Sequence, residues 1–332
     1  MSRKYSLMID VYSHIMPPRY RKALSEVSMK EPHLPRPALH DVDERFRVLD
    51  TYEGIVQVLT ISLPPIEKIP EIQKTVDLAK LANDELAELV LKHPNRFVAA
   101  IACLPMNDMD AALEEVDRAV NDLRFRGVQI NTPLNGKPLD SPEFMPLYEK
   151  MHQYNLPIFI HPHREVTHPD YEKEDQSKYF IYCLWGWPYE TTVAMTRLVC
   201  SGVLEKYPGI KFISHHCGAM VPYFEERIIG FYDLFEMRAG LRLPLTKAPI
   251  EYFKMFYNDT ALYGNTSALM CAYDFCGSDH LLFAADMPLG DSQMGYRNYR
   301  QTIEAIEQMD ISEEEKKKIF QDNARRLLRL PL

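Results

Sequence analysis

Residues 157–164, Pro-Ile-Phe-Ile-His-Pro-His-Arg, constrain the fold of this chain more than any other stretch. Three strand formers run directly into a histidine. A proline then removes the next backbone donor, so sheet pairing stops there. The ring of His161 is therefore predicted at the end of a buried strand. The pattern recurs: residues 8–14 end on His14, 210–216 on the pair His215-His216, and 281–286 on Asp286. Four apolar strands, each ending in a side chain able to bind a metal, predict a barrel with its site at one rim.

The rest of the chain agrees with a barrel. Strands are predicted at 8–11, 55–63, 97–103, 127–131, from 158, from 210, at 253–260 and at 281–285. Helical spacing is predicted between them, at 19–29, 41–53, 69–93, 108–123, 141–154, 188–207, 221–238, 267–275 and 312–330. Residues 31–40 hold three prolines and read as a loop, and 167–182 read as a polar, lid-like insertion. Short, continuously apolar strands suit a parallel sheet covered by helices. Eight of them in 332 residues predict a single (β/α)8 TIM-barrel domain spanning 1–332. An open dinucleotide-binding sheet is disfavoured because no Gly-x-Gly-x-x-Gly follows the first strand.

Charge and cysteine usage narrow the setting. A net charge of −9 argues against nucleic-acid and anionic-membrane partners but leaves room for a small anionic substrate in a locally basic pocket. The six cysteines form no Cys-x-x-Cys pair, the first residues are too polar for a signal peptide, and no apolar run reaches 18 residues. A reduced, cytoplasmic setting is the expectation.

His14, His161 and Asp286 form the predicted metal set. Two imidazoles and a carboxylate suit Zn2+ first, with Mn2+ or Fe2+ as alternatives, and leave an open position for substrate. Any one of them alone would read as a satisfied polar residue at a strand end. In the run Ser214-His215-His216-Cys217-Gly218, strand alternation predicts one histidine facing inward and the other outward. The inward one could be a ligand or a general acid/base, and Gly218 would let the backbone turn close to a ligand. His163 and Arg164, just past the fifth strand, could meet a substrate carboxylate. Trp187 could wall an aromatic pocket or simply pack, and Arg227 lies on the helix after the sixth strand.

Taken together, these pieces resemble the amidohydrolase-related family that includes aminocarboxymuconate semialdehyde decarboxylase and the hydroxybenzoate decarboxylases. The matching segments are Ile-Asp-Val-Tyr-Ser-His at 9–14, Leu-Asp-Ser-Pro-Glu-Phe at 139–144, Phe-Ile-His-Pro at 159–162 and Pro-Tyr-Glu-Thr at 188–191. Further along come Ser-Gly-Val-Leu-Glu-Lys-Tyr-Pro at 201–208, His-Cys-Gly at 216–218, Asp-Thr at 259–260, Ala-Asp-Met-Pro at 285–288 and Asn-Ala at 323–324. The resemblance implies a metal barrel in which His14, His161 and Asp286 are ligands, Asp286 is also a proton donor, and His216 activates water or orients substrate. It places Arg227 where family members often carry an arginine, and it implies a homodimer or larger homo-oligomer. The chain departs at Tyr12, where the family has His or Glu. A neutral phenol, with a reference pKa of about 10, is a poor ligand. A metal could recruit its phenolate, or Tyr12 could hydrogen-bond to substrate.

The activity this implies is metal-dependent, non-oxidative decarboxylation of a small aromatic or unsaturated carboxylic acid. Hydrolysis of a lactone, amide or carbon–carbon bond on the same scaffold is the alternative. A metal-free binding protein is the reading that Tyr12 alone supports.

Overall fold

The computed structural model describes residues 5–27, 36–61, 64–240, 242–290, 293 and 295–332. Its strands are β1 (Met8–Ile15), β2 (Ile55–Ile61), β3 (Phe97–Ala100), β4 (Ala102–Cys103), β5 (Val128–Thr132), β6 (Ile158–Pro162), β7 (Phe212–Ser214), β8 (Tyr257–Asp259) and β9 (Leu281–Leu282). Every neighbouring pair is parallel, in the orders β1-β2-β3 and β4-β5-β6-β7-β8-β9. Backbone hydrogen bonds stitch the two sheets at both seams. Ile101 N donates to Leu59 O at 2.9 Å, and Val11 N donates to Phe283 O at 3.0 Å. The predicted strand at 97–103 is thus one barrel position in two segments, and the architecture is a (β/α)8 barrel.

The barrel interior is a dry plug. Ile9, Val11, Val58, Ile101, Phe159, Ile213, Leu282 and Ala284 pack there, with Leu327 and Leu328 from the C-terminal helix (Asn323–Leu328) joining the same cluster. Helices cover the outside. The longest, Ile72–Lys92, buries Leu78, Ala82 and Leu86 toward the sheet, as its 3.6-residue period predicts.

The helical boundaries follow local chemistry. Asp41 caps Val42–Asp50 by accepting from Asp43 N at 2.8 Å, and Asp108 caps Met109–Asn121 by accepting from Ala111 N at 3.0 Å. Four expectations change. The helix predicted over 188–207 breaks at Gly202, whose φ of +78° suits glycine. The strand predicted from 253 begins only at Tyr257, because Pro249 starts the short helix Pro249–Phe253. An unpredicted helix spans Tyr296–Glu307; its buried face includes Asn298 and Thr302, which hide the apolar period. The loop predicted at 31–40 closes with a helical turn at Pro37–His40, and 31–35 lie outside the described residues. No described helix is long and apolar enough to cross a membrane.

Candidate metal centre

The site is assembled by strand parity. Each of five site residues stands two places after an interior or near-interior apolar residue. Thr60 follows Val58, His161 follows Phe159, His215 follows Ile213, Asp259 follows Tyr257 and Asp286 follows Ala284. Side chains two apart on a strand share a face, which aims Thr60, His161, His215 and Asp259 into the same C-terminal mouth; Asp286 lies beyond β9, at a φ of +55°, and joins them there beside His14 and His215.

His14 reaches that mouth by another route. Ile9 and Val11 face the interior, so simple alternation would turn His14 outward. The β1–β2 register slips between Asp10 and Ser13: Asp10 pairs with Gln57, but Ser13 pairs with Leu59. That one-residue bulge inverts the parity, so that Tyr12 and His14 also face inward. His14 then pairs with Thr60, and its Nδ1 lies 3.0 Å from Thr60 Oγ1.

Among the described residues, two groups of three donors close to within 4.8 Å: His14, His161 and His215, and His215, His216 and Asp286. Asp286 Oδ1 lies 3.3 Å from His14 Nε2 and 3.4 Å from His215 Nε2. His14 Nε2, His161 Nε2 and Asp286 Oδ1 are buried and have no hydrogen-bond partner. Buried polar atoms without a hydrogen bond are rare in folded interiors; here His14 and His161 share one group of three donors, Asp286 adjoins it at His14 and His215, and such a donor set fits a divalent cation.

The tautomers agree. His161 Nδ1 lies 2.8 Å from Pro162 O, which can only accept, so Nδ1 carries the hydrogen and Nε2 offers a lone pair. His215 Nδ1 donates to Asp259 Oδ2, which orients its Nε2 in the same way. Asp259 also accepts from Cys217 N at 3.1 Å and Ala261 N at 3.0 Å, so it is itself held fixed.

Electrostatics follow from burial and neighbours. Burial first, and then His14 and His215, hold His161 well below the ordinary imidazole range. Burial also lowers His14. Burial disfavours charge on His215, but the carboxylates of Asp259 and Asp286 outweigh it and push that imidazole up to about 10. Burial would raise Asp286, yet His14 and His215 hold its carboxyl well below the usual range. Tyr12 is pushed well above its ordinary value by burial and by Asp259 and Asp286, so it stays a neutral phenol.

The expectation that only one of His215 and His216 faces inward is corrected. Both do. The β7 ladder ends at Ser214, and φ is +57° at His216 and +56° at Cys217, so the backbone leaves the alternating strand path. The two rings lie 3.9 Å apart, and His216 Nε2 is 3.9 Å from Asp286 Oδ2. Gly218 completes the turn; at its φ of +73°, a Cβ would come within 2.8 Å of Asn258 Oδ1.

The remaining candidates separate. Trp187 joins the site, with its ring centroid 5.9 Å from His161 and 6.4 Å from His216. His163 Nε2 contacts Lys68 Nζ at 2.9 Å, and Lys68 also pairs with Glu165. Arg164 does not present a free fork, because its Nη1 donates to Glu190 Oε1 at 2.9 Å. Arg227 lies over the Phe231 ring at 4.2 Å, on the helix Glu225–Ala239, which buries none of its residues.

Sequence reasoning passed over three residues of the site. Asp259 and Thr60 were each legible as a polar residue closing an apolar strand. Tyr263, whose hydroxyl donates to Asp286 Oδ2 at 3.1 Å, sits on a loop and carried no such signal.

Comparison with known proteins converges on the same chemistry. Residues 31–330 match the sequence model of the family described as Amidohydrolase. A gamma-resorcylate decarboxylase of a Rhizobium species is 30% identical over 298 residues, covering 87% of each chain. The crystal structure of 2,6-dihydroxybenzoate decarboxylase from Rhizobium is 27% identical, with a TM-score of 0.81, covering 98% of this chain and 99% of that one. A dihydroxybenzoic acid decarboxylase of a Polaromonas species, also 27% identical with a TM-score of 0.80 over 98% of this chain and 97% of that one, was solved with manganese and 2-nitroresorcinol.

Proposed function

The chain belongs to the amidohydrolase family and is an enzyme of it, and on that premise we propose that it is a metal-dependent, non-oxidative decarboxylase of a small aromatic carboxylic acid. The observation that carries this reading is the buried cluster of donors at the barrel mouth, where His14, His161 and His215 close to within 4.8 Å and Asp286 Oδ1 lies 3.3 Å from His14 Nε2.

In this reading His14, His161 and Asp286 hold one divalent cation. Zn2+ is our first choice from the donor set, and the manganese in a related enzyme makes Mn2+ the companion to test. When bound, the cation supplies Lewis-acid charge for the oxygens of the acid. The protein's own groups do the rest. Trp187 walls the aromatic ring above the apolar barrel interior. Loss of CO2 leaves an electron pair on the ring carbon, which must take a proton. Asp286 Oδ2, held by the Tyr263 hydroxyl at 3.1 Å with His216 Nε2 at 3.9 Å, is our candidate relay: a carboxylate at rest, it first takes a proton from solvent and then passes that proton to the carbon. His216 orients the acid from that side. His163, tied to Lys68, is a candidate contact for the substrate's outer edge.

We further assign the barrel over residues 1–332 as one working domain, place it in the cytoplasm, and infer that it works as a homo-oligomer. The support for the last point is the helix Glu225–Ala239, which leaves Ile229, Phe231, Phe235 and Met237 exposed.

The test is direct. Purified protein loaded separately with Zn2+ and Mn2+ is incubated with a panel of hydroxybenzoates, and CO2 and the decarboxylated arene are quantified. Release of both from at least one acid is expected. Incorporation of oxygen from 18O-labelled water into a product, with no CO2 released, would replace the reading with hydrolysis.

A further inference from the structure

His215 is the one side chain that belongs to both donor groups in the barrel mouth. We propose that in this chain His215 is itself a metal ligand, taking the coordination place that Tyr12 does not fill; this rests on the metal-site reading above.

Three observations meet on it. His215 closes with the donor atoms of His14 and His161 to within 4.8 Å, and its Nε2 lies 3.4 Å from Asp286 Oδ1. Two donors each about 2.1 Å from a tetrahedral cation sit roughly 3.4 Å apart, so this spacing is that of neighbours in one coordination shell. Its other nitrogen donates to Asp259, giving the carboxylate–histidine arrangement that turns Nε2 toward a metal. Asp259 is fully buried and is anchored in turn by three backbone N–H groups, those of His216, Cys217 and Ala261.

The third observation is Tyr12. Its ring stacks on His215, with centroids 4.1 Å apart and planes 18° from parallel. A phenol also carries its oxygen farther from the backbone than an imidazole carries Nε2. Tyr12 therefore serves as a wall that fixes the His215 ring, and its hydroxyl, buried without a partner, is left to face a bound acid. The donor set becomes His14, His161, His215 and Asp286. Three imidazoles and one carboxylate make a nitrogen-rich shell, which favours Zn2+ and Co2+ over Mn2+ more strongly than a shell with two carboxylates would.

The experiment reads the ligands rather than turnover. X-ray absorption of the Zn2+-loaded wild-type protein counts the imidazoles around the metal. Three are expected; two would overturn the proposal while leaving the metal site itself intact. Metal affinity, measured by competition with a chromophoric chelator, adds a second readout, with circular dichroism checking that each variant is folded. His215→Asn is expected to weaken Zn2+ binding by about a hundredfold or more, and Asp259→Asn by about 10–100-fold. Tyr12→Phe is expected to stay within about threefold of wild type. A folded Tyr12→Phe that loses its metal, or a folded His215→Asn that keeps wild-type affinity, overturns the assignment. A wild-type protein that takes up no divalent cation would sink the metal-site reading, and this proposal with it.

Discussion

At the scale of single residues, each proposed donor is held in one orientation. His161 and His215 are fixed by an acceptor behind the ring, and His14 by Thr60. Asp286 differs, because its two oxygens face different neighbours. Oδ1 faces His14 and His215, while Oδ2 takes a hydrogen bond from Tyr263. Tyr263 holds a φ of +52°, and a Cβ at Gly290 would overlap its hydroxyl. Gly290 therefore leaves the room that this hydroxyl occupies beside Asp286. A hydrogen bond to a charged group contributes about 1.5–3 kcal/mol. Tyr263→Phe should accordingly lower kcat/KM about 10–100-fold, with metal content unchanged. Steady-state kinetics beside metal analysis check this; a variant as fast as wild type would remove Tyr263 from the site's working parts.

At the scale of elements, the bulge in β1 is the critical feature. The extra residue between Asp10 and Ser13 brings His14 inward and leaves Asp10 outside the barrel. A buried polar network grips that irregular backbone. Arg45 donates to Ser13 Oγ at 3.0 Å, to Gln57 Oε1 at 2.8 Å and to the carbonyl of His14. Tyr299 donates to Asp10 Oδ2 at 2.6 Å and accepts from Gln57 Nε2 at 2.6 Å. Asp10 Oδ1 accepts the Tyr12 N–H at 3.1 Å, which the bulge would otherwise leave unpaired. Arg45 is fully buried, and its removal strands several acceptors at once. Arg45→Met should cost about 3 kcal/mol of stability and should also weaken metal binding, because His14 loses its anchor. Denaturant unfolding and metal titration read the two effects separately. Full stability would mean that the network does not hold the bulge.

At the scale of the whole molecule, the surface is uneven. Tyr171, Tyr179, Phe180, Leu184 and Trp185 lie exposed on and beside the polar insertion, and Ile229, Phe231, Phe235 and Met237 lie exposed on the helix Glu225–Ala239. Under the homo-oligomer proposed above, replacing Phe231 and Phe235 together with Asp should shift the protein to a monomer in light scattering, with the apo melting curve of the barrel changed little. A double variant that keeps the wild-type mass would place the contact elsewhere. Because a cation binds only the folded site, metal removal should lower Tm, and adding Zn2+ back should restore it.

The barrel was legible in the chain alone because it rests on short-range patterns. Apolar runs ending at His161, at the His215-His216 pair and at Asp286 announce strands and the rim where they stop. Capping residues such as Asp41 and Asp108 mark helix starts without reference to anything distant. What only the tertiary structure decided is which side chains meet. The inward turn of His14 depends on a register slip against β2, and Gln57 and Leu59 lie more than 40 residues away. The inward turn of both His215 and His216 depends on where the β7 ladder ends. Arg164 looked free until Glu190 folded back onto it, and Tyr263 became visible only beside Asp286. Local sequence determines where a strand begins and ends because hydrophobic period and backbone chemistry act between near neighbours. Facing and partnership are set by contacts across the barrel, and those exist only once the chain has closed on itself.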